Sequence, residues 1–238
     1  MRASTSGLFM KILKQITYNM IRWVDSEAES PKTNGGEAVI SANSRQVNWQ
    51  RIIPFFAVHL TCLFVFVVGV SPAAIIVCLA MFWLRMFAIT AFYHRYFSHR
   101  SFKTNRFWQF CFAVLGASAA QRGPLWWAAH HRKHHKYSDK DQDLHSPKHG
   151  FWWSHMGWFT CEDAFKTDYS VIKDWAKYPE LRFINRFDIL VPFLCAVSIF
   201  LLGEYLAAYH PSLGTNGWQM LIWGFFVSTV LLAHSTFT

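Results

Sequence analysis

The sequence predicts an all-α, multi-pass membrane protein: four transmembrane helices with a cytoplasmic helical cap that carries clustered histidines. Three observations lead there. Hydrophobic residues make up 53% of the chain and aromatics 18%, richer than an ordinary soluble domain. Uncharged runs such as Ile52–Val70 are long enough to cross a hydrocarbon core. Apart from Arg85, every Lys and Arg lies either before Ile52 or between His94 and Arg186.

Residues 1–50 form a polar N-terminal segment. Within it, Leu8–Val24 mixes apolar positions with Lys11, Lys14 and Arg22, as an interfacial amphipathic helix does. No small-residue cleavage site or long apolar core marks it as a secretory signal. Asp25–Ser44, with Pro31, Gly35 and Gly36, reads as a linker. Residues 51–238 form the membrane domain. Its first span is Ile52–Val70, followed by a tight turn at Gly69, Ser71 and Pro72, and a second span over Ala73–Tyr93. Phe107–Ala120 is apolar but short, which predicts a re-entrant or interfacial helix. Ser170–Arg186 has the pattern of an amphipathic helix, the third span runs from Phe187 to Ala207, and the fourth starts at Gly217. Lipid tolerates no unpaired backbone, so the spans are expected to be helical.

The turns at Gly69–Pro72 and Glu204–Asn216 carry no cation. The positive-inside rule therefore places the N-terminus and the histidine-rich region in the cytoplasm, in a bacterial inner membrane. The net charge of +9 is then a topology signal with membrane lipid as partner. No basic stripe on a soluble module points to nucleic acid, and none is expected. Cys62, Cys78, Cys111, Cys161 and Cys195 lie mostly in apolar runs without paired spacing, against a disulfide framework or a cysteine zinc site.

Chemistry concentrates in two stretches, HRYFSH (His94–His99) and WWAAHHRKHH (Trp126–His135). His131, His134 and His135 share one helical side, whereas His94 and His99, five apart, align poorly on an α-helix. Neutral imidazole is a common transition-metal ligand. Five imidazoles exceed one tetrahedral zinc site and are too few to saturate two octahedral irons. A histidine-rich iron pair completed by residues from elsewhere fits the count. Such a centre can activate dioxygen against an unactivated C–H bond, chemistry that protein groups alone do not supply. His130 faces away on the same helix, and His59, His149 and His210 have weaker claims. Asp139, Asp141 and Asp143 read as a solvated loop balancing Lys136 and Lys140. Trp152, Trp153 and Trp158 read as headgroup-level anchors.

HRYFSH, WWAAHHRKHH and GFWWSHMGW resemble the membrane fatty-acid desaturases of the stearoyl-CoA (acyl-CoA delta-9) desaturase type, especially bacterial members, from about Phe55 to the C-terminus. The resemblance implies four membrane helices, a cytoplasmic cap, two non-haem iron ions, and insertion of a cis double bond near the middle of a long acyl chain. Dioxygen is the implied co-substrate, and electrons come from a separate donor such as ferredoxin, or cytochrome b5 with its reductase. By position, His94, His99, His131, His134 and His135 match iron ligands. Gln121, Trp127 and Thr236 match substrate-binding positions at the bend of an acyl tunnel. Phe237 stands where many relatives place a tryptophan beside the substrate, and His145 and His155 are candidates for orienting ligands.

Two departures matter. Ala129 replaces an Arg with which animal relatives hold acyl-CoA, so acyl-CoA, an acyl carrier and a phospholipid all stay open as the acyl source. The family's third histidine box falls beyond Thr238, so the chain is expected to be C-terminally incomplete and inactive alone. The alternatives are a lipid hydroxylase or ketolase on the same scaffold, and a non-catalytic membrane protein carrying metal or haem.

Overall fold

The computed structural model describes residues 2–28, 47–138, 140 and 142–236. The expected linker falls mainly outside them, as do Asp139, Asp141 and Phe237. Among the described residues, three helices are long and apolar enough to cross a membrane: α4 (Pro72–Ser98), α9 (Leu190–Tyr209) and α10 (Gly217–Thr236). The first expected span is shorter. It comprises α2 (Ile53–Thr61), a 3-10 turn at Cys62–Phe64, and α3 (Val65–Val68). Every described element is helical apart from one isolated antiparallel bridge, Val47 to Cys161.

The turn into α4 forms as predicted. Gly69 adopts φ +67°, a conformation glycine reaches without a Cβ clash. Ser71 then caps α4 by accepting from the backbone N–H of Ala74, with Pro72 at the first helical position. At the other end α4 widens into a π-helix over Ala88–Ser98. Beyond it lies α5 (Arg106–Ala117), capped by Asn105, at the site of the predicted short helix. Gly116 lets α5 close on α4: a Cβ there would sit 2.0 Å from the Tyr93 ring. Tyr93 itself is fully buried.

α6 (Pro124–Tyr137) carries the second histidine cluster. Its first turn is held by buried Asn185 from α8 (Pro179–Arg186), whose Oδ1 accepts from the Trp126 backbone N–H at 2.7 Å. The amphipathic stretch expected over Ser170–Arg186 is two helices, α7 (Lys173–Ala176) and α8, because Pro179 cannot donate within a continuing helix.

Arg132 joins the parts. Its guanidinium forms a two-point pair with Asp174 at 2.8 and 2.9 Å. It also donates to the backbone oxygens of Phe97, Ser98 and Val171. One side chain thus fastens the end of α4, the histidine helix and the segment 171–174 together.

α1 (Arg2–Val24) docks through polar groups. Arg22 pairs with Glu162 at 2.6 Å, and Asp25, just after the helix, grips Arg186. Phe9, Leu13, Met20 and Val24 stay exposed along its outer side, the amphipathic pattern expected of it. All five cysteines are free.

Candidate metal centre and substrate cavity

Four imidazoles converge where α4 meets α6. The ligand nitrogens of His94, His99, His131 and His135 all lie within 4.8 Å of one another. Nε2 of His99 is 3.0 Å from that of His94 and 3.1 Å from that of His131, and Nε2 of His135 is 3.0 Å from that of His131. The five-residue spacing of His94 and His99, awkward on an α-helix, works because the π winding bonds residues five apart: His99 N–H donates to His94 O at 3.1 Å. His131 and His135, four apart on α6, align on one side.

His134 stands beside this group instead of in it. A step of three or one residue rotates it away from the line of His131 and His135. Its Nδ1 meets Asp143 Oδ2 at 3.0 Å, and its ring lies 5.3 Å from that of His145. His145 Nδ1 is buried without a hydrogen-bond partner. An imidazole fixed by a carboxylate on one nitrogen presents the other as a ligand. The Asp143 contact gave no signal in the sequence beyond an acidic alternation.

Burial, then the neighbouring His94, His135, His99 and His134, holds the His131 imidazole down at about 3. Burial holds His130 down at about 4, even though its Nδ1 lies 3.0 Å from Trp126 O. His135 and His145 are lowered chiefly by burial as well. These rings are neutral near pH 7, the state a metal requires. The donor set, four imidazoles on rigid helices, fits a transition-metal ion.

The same shifts predict acid lability. The unfolded chain takes up protons near pH 6.5, whereas folded His131 and His130 resist until about 3 and about 4. Stability of the chelator-treated protein should therefore fall as pH drops from about 6.5 toward 4. Melting in detergent at pH 7 and pH 5 checks this; an equal or higher midpoint at pH 5 contradicts it.

A cavity of about 980 Å³ opens beside the centre. Its apolar end is walled by Met86, Ile89 and Trp127, with Gln121 and Thr236 across from one another. Gln121 Nε2 donates to Thr236 Oγ1 at 2.7 Å, while Gln121 Oε1 is buried without a partner. Trp127 stacks on His131 with ring centroids 4.8 Å apart. Gln121 and Trp127, six residues apart, and the distant Thr236 thus line one volume next to the imidazoles.

His155 lies elsewhere, in a chain the sequence did not suggest. Its Nε2 is 3.0 Å from His234 Nδ1, and His234 Nε2 is 2.9 Å from His59 Nε2. The three rings tie the cap, α10 and α2 together. Trp158 is buried against Trp126, whereas Trp152 stays exposed.

Comparison with known proteins agrees with this architecture. The family model for fatty acid desaturase matches residues 44–238. The chain is 31% identical over 201 residues to an sn-1 stearoyl-lipid 9-desaturase of Anabaena variabilis, covering 83% of this chain and 69% of the relative. It is 32% identical over 213 residues to an sn-2 palmitoyl-lipid 9-desaturase of Nostoc sp. (strain 36), covering 85% and 68%. An acyl-CoA C20 Delta5-desaturase of Anemone leveillei is 29% identical over 225 residues, covering 87% and 66%. The chain belongs to the fatty acid desaturase family, and its activity is that of a fatty-acyl desaturase, an oxidoreductase of lipid metabolism.

Proposed function

We propose that the protein introduces a cis double bond near the middle of a long acyl chain carried on a membrane lipid. The observation that supports this best is the position of the four-imidazole group against the cavity lined by Trp127, Gln121 and Thr236. His94, His99, His131 and His135 would hold one iron. His134, oriented by Asp143, would serve a second, with His145 beside it. An iron pair held there would supply the activation of dioxygen needed to take two hydrogens from adjacent carbons. Two electrons and two protons complete the reduction of dioxygen to two waters; the electrons come from a separate donor of the ferredoxin or cytochrome b5 type. The protein's own groups bind and orient. Trp127 fixes the His131 ring, the Gln121–Thr236 pair shapes the bend of the acyl chain, and Phe237, next in sequence, is a further candidate for substrate contact.

A lipid headgroup suits the cavity's polar end better than CoA. Lys133 is already paired with Asp168 at 2.6 Å, a contact that holds the Asp168 carboxyl at about 2. Lys166 is balanced by Asp163 and Asp143 on the same wall. With Ala129 on α6, no excess positive charge awaits several phosphates. The α2–α3 stretch, broken by its 3-10 turn, serves as the fourth span with bilayer thinning or tilt, and the histidine end faces the cytoplasm.

Expression of the full-length gene in a desaturase-deficient host followed by mass spectrometry of lipids and free acids tests the reading. New monounsaturated chains on intact lipids support it. Hydroxylated or keto products, which carry an added oxygen, would instead indicate the related oxygenase chemistry.

Asp143→Asn should cost roughly 10–100-fold in activity or iron affinity, the usual range for a ligand's hydrogen-bonding partner. Iron per protein and product yield check it, and wild-type values in both would remove Asp143 from the centre.

A further inference from the structure

α1 is amphipathic the wrong way round for a helix bathed in water. Its polar residues Asn19 and Arg22 are buried, at 3% and 6% exposure, while Phe9, Leu13, Met20 and Val24 are 45–65% exposed. Those four recur at steps of four and seven, which makes one stripe of an α-helix, and the buried polar pair lies on the other side. Water against such a stripe is unfavourable; hydrocarbon is the favourable neighbour.

Position and charge say which neighbour it meets. Asn19 Nδ2 donates to Gln50 Oε1, and Trp23 Nε1 to Gln50 O at 3.2 Å, so α1 is fastened to the chain just before α2 starts at Ile53. Trp49 beside this joint is exposed, as a headgroup-level anchor is. Arg2–Val24 contains Lys11 and Lys14 and no Asp or Glu, which complements a leaflet of anionic headgroups. α1 also lies wholly before residues 44–238, the part that the family model matches.

The inner side of α1 leads to the histidine helix. Just past α1, Ser26 Oγ donates to Asn185 O at 3.0 Å, and the Ser26 N–H to Arg186 O at 2.9 Å. Glu27 Oε1 accepts from Asn185 Nδ2 at 3.2 Å and from the Tyr169 hydroxyl. Asn185 in turn holds the Trp126 N–H in the first turn of α6. Gly123, before that turn, supplies no side-chain cap, and a Cβ on it would sit 2.4 Å from Asn185 Cα. The start of α6 is therefore packed on Asn185, and Asn185 on the residues that end α1.

We propose that α1 lies in the surface of an anionic lipid leaflet, apolar stripe in the acyl region, and that this contact seats the histidine helix through Ser26, Glu27 and Asn185. Lipid that binds the seated arrangement stabilises it, so the first turn of α6 opens less often when α1 is engaged. The proposal rests on α4, α9 and α10 spanning a membrane and not on the reaction.

Hydrogen exchange read by mass spectrometry on the full-length protein in vesicles tests it, and needs neither iron nor turnover. Amides of α1 and of the first turn of α6 should both exchange roughly tenfold more slowly in an equal mixture of phosphatidylcholine and phosphatidylglycerol than in phosphatidylcholine alone, the scale of one or two cations at a charged leaflet. Leu13→Glu with Met20→Glu should abolish the difference in both segments and leave α4 as protected as in the wild type. Should that variant fail to accumulate, the exposed Lys14→Glu should cancel most of the difference. Glu27→Ala should keep the lipid effect on α1 and lose it on α6. Equal α1 exchange in the two vesicles overturns the lipid contact, and α6 exchange indifferent to lipid overturns the seating. Protection of α1 that follows protein concentration instead of lipid charge assigns the stripe to a second copy of the chain and overturns the proposal equally.

Discussion

His131→Ala abolishes desaturation and lowers bound iron. His131 is the hub of the four-imidazole group, with Nε2 within 3.1 Å of both His99 and His135, and its ring supports Trp127 on the substrate side. Alanine removes a donor and the surface against which Trp127 stacks. Loss of a ligand's partner alone costs roughly 10–100-fold, so the loss here should exceed about a hundredfold in product yield. Iron per protein, measured on the same preparation, should fall with it. His210→Ala is the control, since His210 follows α9 at the end remote from the imidazoles. Product from His131→Ala within about tenfold of wild type would exclude the four-imidazole group as the reaction centre.

The second large effect is on folding. Arg132→Met removes the paired contacts to Asp174 and three donations to backbone oxygens. The Asp174 side chain is only 22% exposed, and the substitution leaves this largely buried carboxylate only a longer, 3.6 Å contact with the exposed Arg100. Breaking a buried pair from one side costs about 3 kcal/mol, and the melting midpoint in detergent should fall accordingly. Adding Asp174→Leu removes the stranded charge and should recover part of the loss, which a double-mutant comparison reads directly. A single variant as stable as wild type would show that the cap holds without this clasp. Iron binding should weaken in parallel, because Phe97 and Ser98, which Arg132 anchors, immediately precede His99.

Much of the architecture is legible in local pattern. The apolar runs mark α4, α9 and α10, and Gly69, Ser71 and Pro72 mark the turn between the first two apolar helices. The spacing of His131 and His135 on a helix of 3.6 residues per turn already aligns them. Other features depend on departures from regular winding that spacing does not reveal. The π segment over Ala88–Ser98 is what brings His94 and His99 into register. The 3-10 turn at Cys62–Phe64 interrupts the α winding of the helix expected to be the first span, which runs only over Ile53–Val68. Pro179 was visible in the sequence, yet the composition of Ser170–Arg186 masked the break it causes.

The sequence by itself determined the membrane character, the residue types of the metal centre, and the family. All three rest on properties a short stretch carries alone: hydropathy, the period of a helix, and the number and spacing of imidazoles. Only the tertiary structure decided which histidines meet. His134 turns to Asp143, His155 joins His234 and His59, and Gln121 reaches Thr236 across the cavity. It also decided that Arg85 is seated among Ser118, Ser228 and Thr229. Those pairings depend on the rotation and depth at which separate helices pack, and packing is set jointly by side chains distant along the chain.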